Sequence, residues 1–135
     1  MLAQLIYIST IVGKTFDQME DLREVARLRN IADNICGLLL ITDNYYIHYI
    51  EGDRSAVNSK YREVSHYPLH TQCTILRFVE IPKREFPDLI STYVKLSDMA
   101  KEELSKLDKI DPETIASATA LSYIRRMVAH HRADT

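Results

Sequence analysis

Glycine is nearly missing from this chain: Gly13, Gly37 and Gly52 are the only three in 135 residues. Their scatter excludes a glycine-rich phosphate loop, and there is no G-x-S-x-G run to seat a nucleophilic serine. Cysteine is as scarce. Cys36 and Cys73 both sit in apolar, strand-like runs, and neither has a partner at zinc-ligand spacing. They read as two buried thiols rather than a disulfide. His66 and His70 are four apart, but Pro68 between them interrupts the helix that would aim both at one metal. His130 and His131 read as solvent-exposed. No metal set and no covalent catalyst is expected, so the chain is not read as an enzyme.

An excess of either charge is also lacking. Seventeen basic and nineteen acidic residues are interspersed, for a net charge of -2. That leaves no electrostatic footprint for nucleic acid or an anionic membrane. No apolar run approaches the roughly 20 residues of a membrane span. "MLAQLIYIST" has neither a basic start nor a cleavage site, and reads as a first strand. The expected compartment is the cytoplasm. With 46% hydrophobic and 27% charged residues, the length suits one domain with a real core.

What is present alternates between strand and helix. "LAQLIYIS" (Leu2–Ser9) is apolar and β-branched, and the loop "IVGKT" follows it. Asp17 opens "DQMEDLREVARLRNIADN", with acids in its first turn and arginines later, as the helix dipole favours. "ICGLLLITD" and "YYIHYIEG" read as strands turning at Asp43–Asn44. Asp53 is placed to cap the helix "RSAVNSKYREVSHY", which Pro68 stops. "TQCTILRFVEI" is a fourth strand, and "DLISTYVKL" a fifth after Pro82 and Pro87. From Ser97 onward, "SDMAKEELSKLDK" and "DPETIASATALSYIRRMVAHH" read as helices, the second with Pro112 just inside its start. The order β-α-β-β-α-β-β predicts an α+β, ferredoxin-like sandwich with a five-stranded mixed sheet. "ICGLLLI" is apolar at consecutive positions, so both faces of the sheet need covering. The first two helices cover one face, and the two C-terminal helices are the only material left for the other.

Three polar residues fall where apolar ones are expected. On the first helix, Met19, Leu22, Ala26 and Asn30 lie near one face. A carboxamide on a buried stripe either bonds a neighbouring loop or offers its donor and acceptor to a ligand edge carrying C=O beside N–H. Flavin and pterin rings have that edge. Tyr7 shares a strand face with Leu5 and Ser9, and His48 shares one with Tyr46 and Ile50. Taken singly, Tyr7 reads as a packing residue and His48 as a hydrogen-bonded core histidine. If their strands flank each other, both face the space beneath the helices, and with Asn30 they line a pocket suited to a flat heterocycle.

These residues together resemble the BLUF family, the blue-light sensors using flavin. The pattern is a tyrosine in the first strand, "ARLRN", seven residues on to "GLLL", then "YYIHYIEGD", "YPLH" and "REFPD". The match runs from about Leu2 to Val94. It implies a flavin-binding domain over residues 1–95 and a C-terminal helical extension over 96–135, packed on the sheet. It implies FAD or FMN between the first two helices. Asn30 would hold its carbonyl and imide edge, and Tyr7 would donate in light-driven electron and proton transfer. Leu22, Ala26, Leu39, Tyr46 and Val64 would line the slot, beside His48 and His70. It also implies a protein partner and a homo-oligomer. The departures are specific. The family places a glutamine where His48 stands, and an Asp and an Arg where Tyr67 and Leu69 stand. A family Trp and Met fall on Leu89 and Ser91. The expected function is therefore a flavin-binding sensor with its photoswitch altered or lost. The alternative is a flavin-free interaction module on the same fold.

Overall fold

The computed structural model describes residues 1–11, 15–41, 45–66, 70–95 and 109–133, with the side chains of 11, 15–22, 70, 71 and 95 excepted. The elements are β1 (Leu2–Ile11), α1 (Thr15–Ala32), β2 (Cys36–Ile41), β3 (Tyr45–Asp53), α2 (Arg54–Ser65), β4 (His70–Ile81), β5 (Thr92–Lys95) and α3 (Ser117–Ala133). The strands form one sheet in the order β4-β1-β3-β2-β5. Only the β2–β5 pairing is parallel; the other three are antiparallel. This is the α+β, ferredoxin-like sandwich with a mixed five-stranded sheet that the element order calls for.

β2 is buried at all six positions, so it needs cover on both faces, and it has it. On one face Ile6, Leu38, Leu40 and Tyr49 pack against Leu121, Ile124, Met127 and Val128 of α3 in a single core. The other face, under α1 and α2, holds two smaller clusters. One is built on Leu5, Tyr7, Ile35, Ile50 and Val57, the other on Leu39, Ile41 and Tyr46. Of the two expected C-terminal helices, "SDMAKEELSKLDK" lies almost wholly outside the described residues.

Some boundaries differ from the sequence expectation, each for a local reason. Asp53 occupies the cap position of α2 without a side-chain cap bond. Its carboxylate instead lies 3.9 Å from the Met1 amino group, while the Arg54 N–H donates to the Met1 carbonyl at 3.0 Å. The fifth strand starts at Thr92 rather than Asp88. Residues before it turn back, with Leu89 N–H donating to Phe86 O at 3.1 Å, and Ser91 takes a left-handed φ of 52°. The last helix begins at Ser117, not Pro112. Asp111 ends the preceding turn by accepting the Thr114 and Ile115 N–H groups on its carbonyl and the Glu113 N–H on its side chain. Cys36 and Cys73 are both free thiols, the first buried and the second half-buried.

Gly37 has a stated steric task. A Cβ there would meet the Tyr49 carbonyl oxygen at 2.5 Å, so any other residue forces β2 away from β3.

Candidate functional site

α1 ends two residues beyond Asn30, and that ending fixes the asparagine. Asn34 takes the left-handed conformation (φ 54°) that helices use to stop. Ile35 N–H then donates to Asn30 O at 2.8 Å and Asp33 N–H to Arg29 O at 2.9 Å. The chain passes directly into β2, so α1 is tied to the sheet at the residue of interest. Asn30 is buried. Its Nδ2 donates to Ser91 Oγ at 2.9 Å, and among the described residues its Oδ1 has no hydrogen-bond partner.

That amide lies in the wall of a cavity between α1 and α2, floored by β2 and β3. The enclosed part of the cavity is about 60 Å³, and it opens to solvent. Val25, Ala26, Leu39, Val64 and Tyr93 give it apolar walls, and Asn30, His48, Lys60 and Ser91 supply the inner polar groups. Arg29 and Glu63, both half exposed, form an ion pair from α1 to α2 in the same lining. Apolar walls with a few fixed polar groups suit a flat heterocycle.

β1 and β3 are neighbours, and Tyr7 pairs in register with His48. The Tyr7 hydroxyl and His48 Nδ1 are 2.6 Å apart in a hydrogen bond, with the rings edge to face at 5.2 Å. Tyr7 is fully buried and does not reach the cavity; His48 does, and stands between the phenol and the space. Burial, with smaller pushes from Cys73, Tyr61 and Tyr93, raises the Tyr7 hydroxyl well above the ordinary phenol range. The phenol therefore keeps its proton, and the tautomer of His48 sets which partner donates. Tyr61 of α2 closes the other side of Tyr7, its ring at 5.0 Å.

Of the residues expected at the site, Ala26, Asn30, Leu39, His48 and Val64 line this one cavity. Tyr7 and Tyr46 lie one layer back, Tyr46 packed with Leu39 and Ile41 rather than on the cavity surface. The side chains of Leu22 and His70, and all of Tyr67 and Leu69, fall outside the described residues. Sequence reasoning missed Lys60 and Tyr93, and named Ser91 only as the position of a family Met. Ser91 is invisible as a partner because it reaches Asn30 only through its left-handed backbone. Lys60 had a signal: it sits in phase with Val57 and Val64 on the inner stripe of α2.

The opposite face carries a second polar group that sequence reasoning also missed. The buried Glu51 carboxylate accepts on Oε1 from the Tyr49 hydroxyl at 2.7 Å and from the Glu85 and Phe86 N–H groups, both at 3.1 Å. Gln4 donates to the Tyr49 hydroxyl at 2.9 Å and accepts from Arg77 at 2.8 Å. Glu85 is in turn paired with Arg125 of α3. This group ties the sheet to the turn before β5 and to α3.

Comparison with known proteins places these features in one family. The family model described as BLUF, sensors of blue light using FAD, matches residues 2–91. Among solved structures, BlrB, a BLUF protein in its dark state, superposes with a TM-score of 0.79 at 26% identity, over 96% of each chain. BlsA in its photo-activated state gives 0.65 at 26% identity, over 78% of this chain and 75% of that one. The Klebsiella pneumoniae BlrP1 calcium and cyclic-diGMP complex gives 0.70 at 22% identity, over 79% of this chain and 27% of that longer one, a likeness of fold. No curated protein matches. A flavin fits the residues present: Asn30 lines the cavity, and its Oδ1, unpartnered among the described residues, is an acceptor for an imide N–H. The chain belongs to the BLUF family, the sensors of blue light that use FAD.

Proposed function

We propose that residues 1–95 form a flavin-binding sensor domain whose light response is altered by His48, with residues 96–135 as its helical output extension. The observation that carries this reading is the unpartnered Asn30 Oδ1 in the wall of the cavity between α1 and α2. A buried acceptor without a donor costs on the order of 1–3 kcal/mol, and a ligand imide removes that cost. FAD or FMN is the ligand, held by Asn30 with His48 against its polar edge and Ala26, Leu39 and Val64 along its faces. Bound flavin supplies blue-light absorption. The chain's own residues supply the response: Tyr7 holds a proton on a hydroxyl that reaches the cavity only through His48. A glutamine there can turn its amide end for end and exchange donor for acceptor. An imidazole carries its two nitrogens on opposite edges of a rigid ring and cannot.

The chain senses rather than converts, and acts in the cytoplasm. Among the described residues no helix is long and apolar enough to cross a membrane. A protein partner reads the state of α3 and the turn before β5, which the Glu51–Glu85–Arg125 connection ties to the sheet. A homo-oligomer is supported by β4, a twelve-residue edge strand that leaves Ile75 and Phe78 exposed. The alternative, a flavin-free interaction module, draws on Val25, Leu28 and Ile31, exposed at three-residue spacing along α1.

One measurement separates the two. The purified protein is scanned across the flavin bands, and its cofactor is extracted and identified. Flavin retained by the parent and lost from Asn30→Ala is the expected result. A folded parent that takes up no added flavin would leave the interaction module.

A further inference from the structure

Ser91 brings the turn between β4 and β5 to the cavity wall. It stands there at a φ of 52°, a left-handed backbone that a residue with a Cβ adopts at a cost. Such a shape persists only where its surroundings hold it, and it gathers at ligand clamps and switches. One holder is the buried Asn30 amide, which donates to Ser91 Oγ at 2.9 Å. Another is Gly37 of β2, whose N–H donates to the Leu89 carbonyl at 2.9 Å. The same turn is fastened to the far face of the sheet. Phe86 and Leu89 are buried in the α3 core, and Asp88 pairs with Arg132 of α3 at 2.6 Å. The Arg132 guanidinium also lies 5.9 Å from the centre of the Phe86 ring. One short segment therefore touches the cavity at its end and α3 along the rest of its length.

The cavity end of this segment is sensitive to what binds. Among the described residues Asn30 Oδ1 has no hydrogen-bond partner, while Nδ2 of the same amide holds Ser91. An amide whose oxygen accepts a hydrogen bond is polarised and becomes a stronger donor through its nitrogen. A ligand N–H at Oδ1 thus tightens the bond to Ser91, and an empty site slackens it. We infer that the chain reports flavin occupancy itself, in the dark: Asn30 and Ser91 pass the presence of the ligand to the turn and, through Asp88 and Arg132, to α3. The inference rests on the flavin reading above and goes beyond it, because this signal needs neither light nor any movement of His48. Ser91 is a positioning residue, since it acts through Asn30. The input is then the supply of flavin, which suits a site that carries a histidine at its photoswitch position.

The test is done in the dark on the full chain stripped of ligand, with FMN as the probe and backbone amide NMR shifts as the readout. At saturating FMN, shift changes are expected in α1 and α2, at residues 86–91, and in α3 around Arg132. The flavin ring does not produce the last of these directly, because α3 packs on the opposite face of the sheet. Nor do shifts follow the global stabilisation that any ligand gives. Ser91→Gly removes the hydroxyl and accepts the left-handed φ, so the turn keeps its path. Compared at saturation, this variant should keep the α1 and α2 changes and lose those of α3. Coupling is reciprocal, so Arg132→Gln should weaken FMN binding about two- to fivefold in the parent, the reach of an exposed ion pair. The same substitution should leave the affinity of Ser91→Gly as it is. Changes confined to α1 and α2 in the parent would leave flavin binding standing and overturn the relay. Changes in α3 that survive Ser91→Gly, or an equal loss of affinity in the two backgrounds, would overturn the role of Ser91. If FMN does not bind at all, the flavin reading fails and this inference falls with it.

Discussion

The two faces of the sheet are made from the same strands and have been put to opposite uses. Against α3, Ile6, Leu40, Tyr49, Ile124 and Met127 close into one continuous core. Its polar members, Gln4, Tyr49 and Glu51, bond to one another and to the backbone, with Glu51 Oε2 left over among the described residues. Under α1 and α2 the apolar residues form two clusters with a cavity bordering both, and among the described residues Asn30 Oδ1 there has no donor. Interiors are normally close-packed, so the face that keeps a cavity is the one shaped for something else. The closed face supplies stability, and the split face gives up part of it to keep a cavity open.

The largest effects should fall on the closed face. Ile124→Ala removes a fully buried side chain from the middle of the α3 core. It should cost about 2–5 kcal/mol in urea unfolding, whereas Val64→Ala, which borders open space already, should cost less than about 1 kcal/mol. Equal costs would mean that the two faces are packed alike. Next come the two tyrosines. Tyr49→Phe takes a donor from the buried Glu51 carboxylate and should cost about 1.5–3 kcal/mol, the range for a bond to a charged group. Tyr7→Phe takes a neutral partner from His48, whose ring is only half buried, and should cost about 1 kcal/mol. Paired unfolding curves of the two variants decide the ranking.

The alternation in "YYIHYIEGD" and the unbroken apolar run in "ICGLLLI" were enough to place β3 and β2 and to require cover on both faces. Hydrophobic period is a local property, so it is legible along the chain alone. Asn30, Tyr7 and His48 were legible for the same reason, as polar residues in phase with apolar ones. Lys60 was equally in phase and was overlooked, because a lysine in a helix is by habit read as solvated. Glu51 was not legible. Its partners are Tyr49 beside it and the Glu85 and Phe86 backbone more than thirty residues away, and no spacing announces a carboxylate that a distant turn will satisfy. The Asp53 cap failed on an equally long-range ground, since the chain's own amino group competes for that carboxylate.

Alkaline pH gives a smaller, graded test that acts on both faces together. Tyr7 is raised chiefly by burial, and Tyr49 by burial and then by its bond to Glu51. In the unfolded chain both titrate near about pH 10. Raised folded values mean that the stabilisation is whole below that pH and is lost as pH climbs from there toward the folded values. Each tyrosine steepens the decline by up to about 1.4 kcal/mol per pH unit. Urea midpoints between pH 9 and 11 should therefore fall in the parent and fall less in Tyr7→Phe and in Tyr49→Phe. A flat profile would show that the hydroxyls are less buried than the split and closed faces imply.

The smallest expected change in stability belongs to the residue with the largest expected change in behaviour. His48→Gln swaps a half-buried imidazole for an amide of similar reach, and should move unfolding by less than about 1 kcal/mol. Its effect is spectroscopic. Under blue light the family's response is a small red shift of the flavin band, produced when an amide next to the ring presents a new donor to the flavin carbonyl. In the parent, His48 Nδ1 is committed to Tyr7 at 2.6 Å, and the strand holds the ring between Tyr46 and Ile50 on the same face. Bringing a new donor to the flavin would mean turning that ring through packed neighbours. The flavin-loaded parent should show no shift on illumination, and His48→Gln a partial, reversible one, since Tyr7 and Asn30 already stand where the amide needs them. Both proteins are compared at equal flavin occupancy, so that weak binding is not read as a silent switch. A full reversible shift in the parent would show that a histidine bonded to Tyr7 can run the response by itself, and the split face would then be a working photoswitch rather than a flavin site with its switch held still.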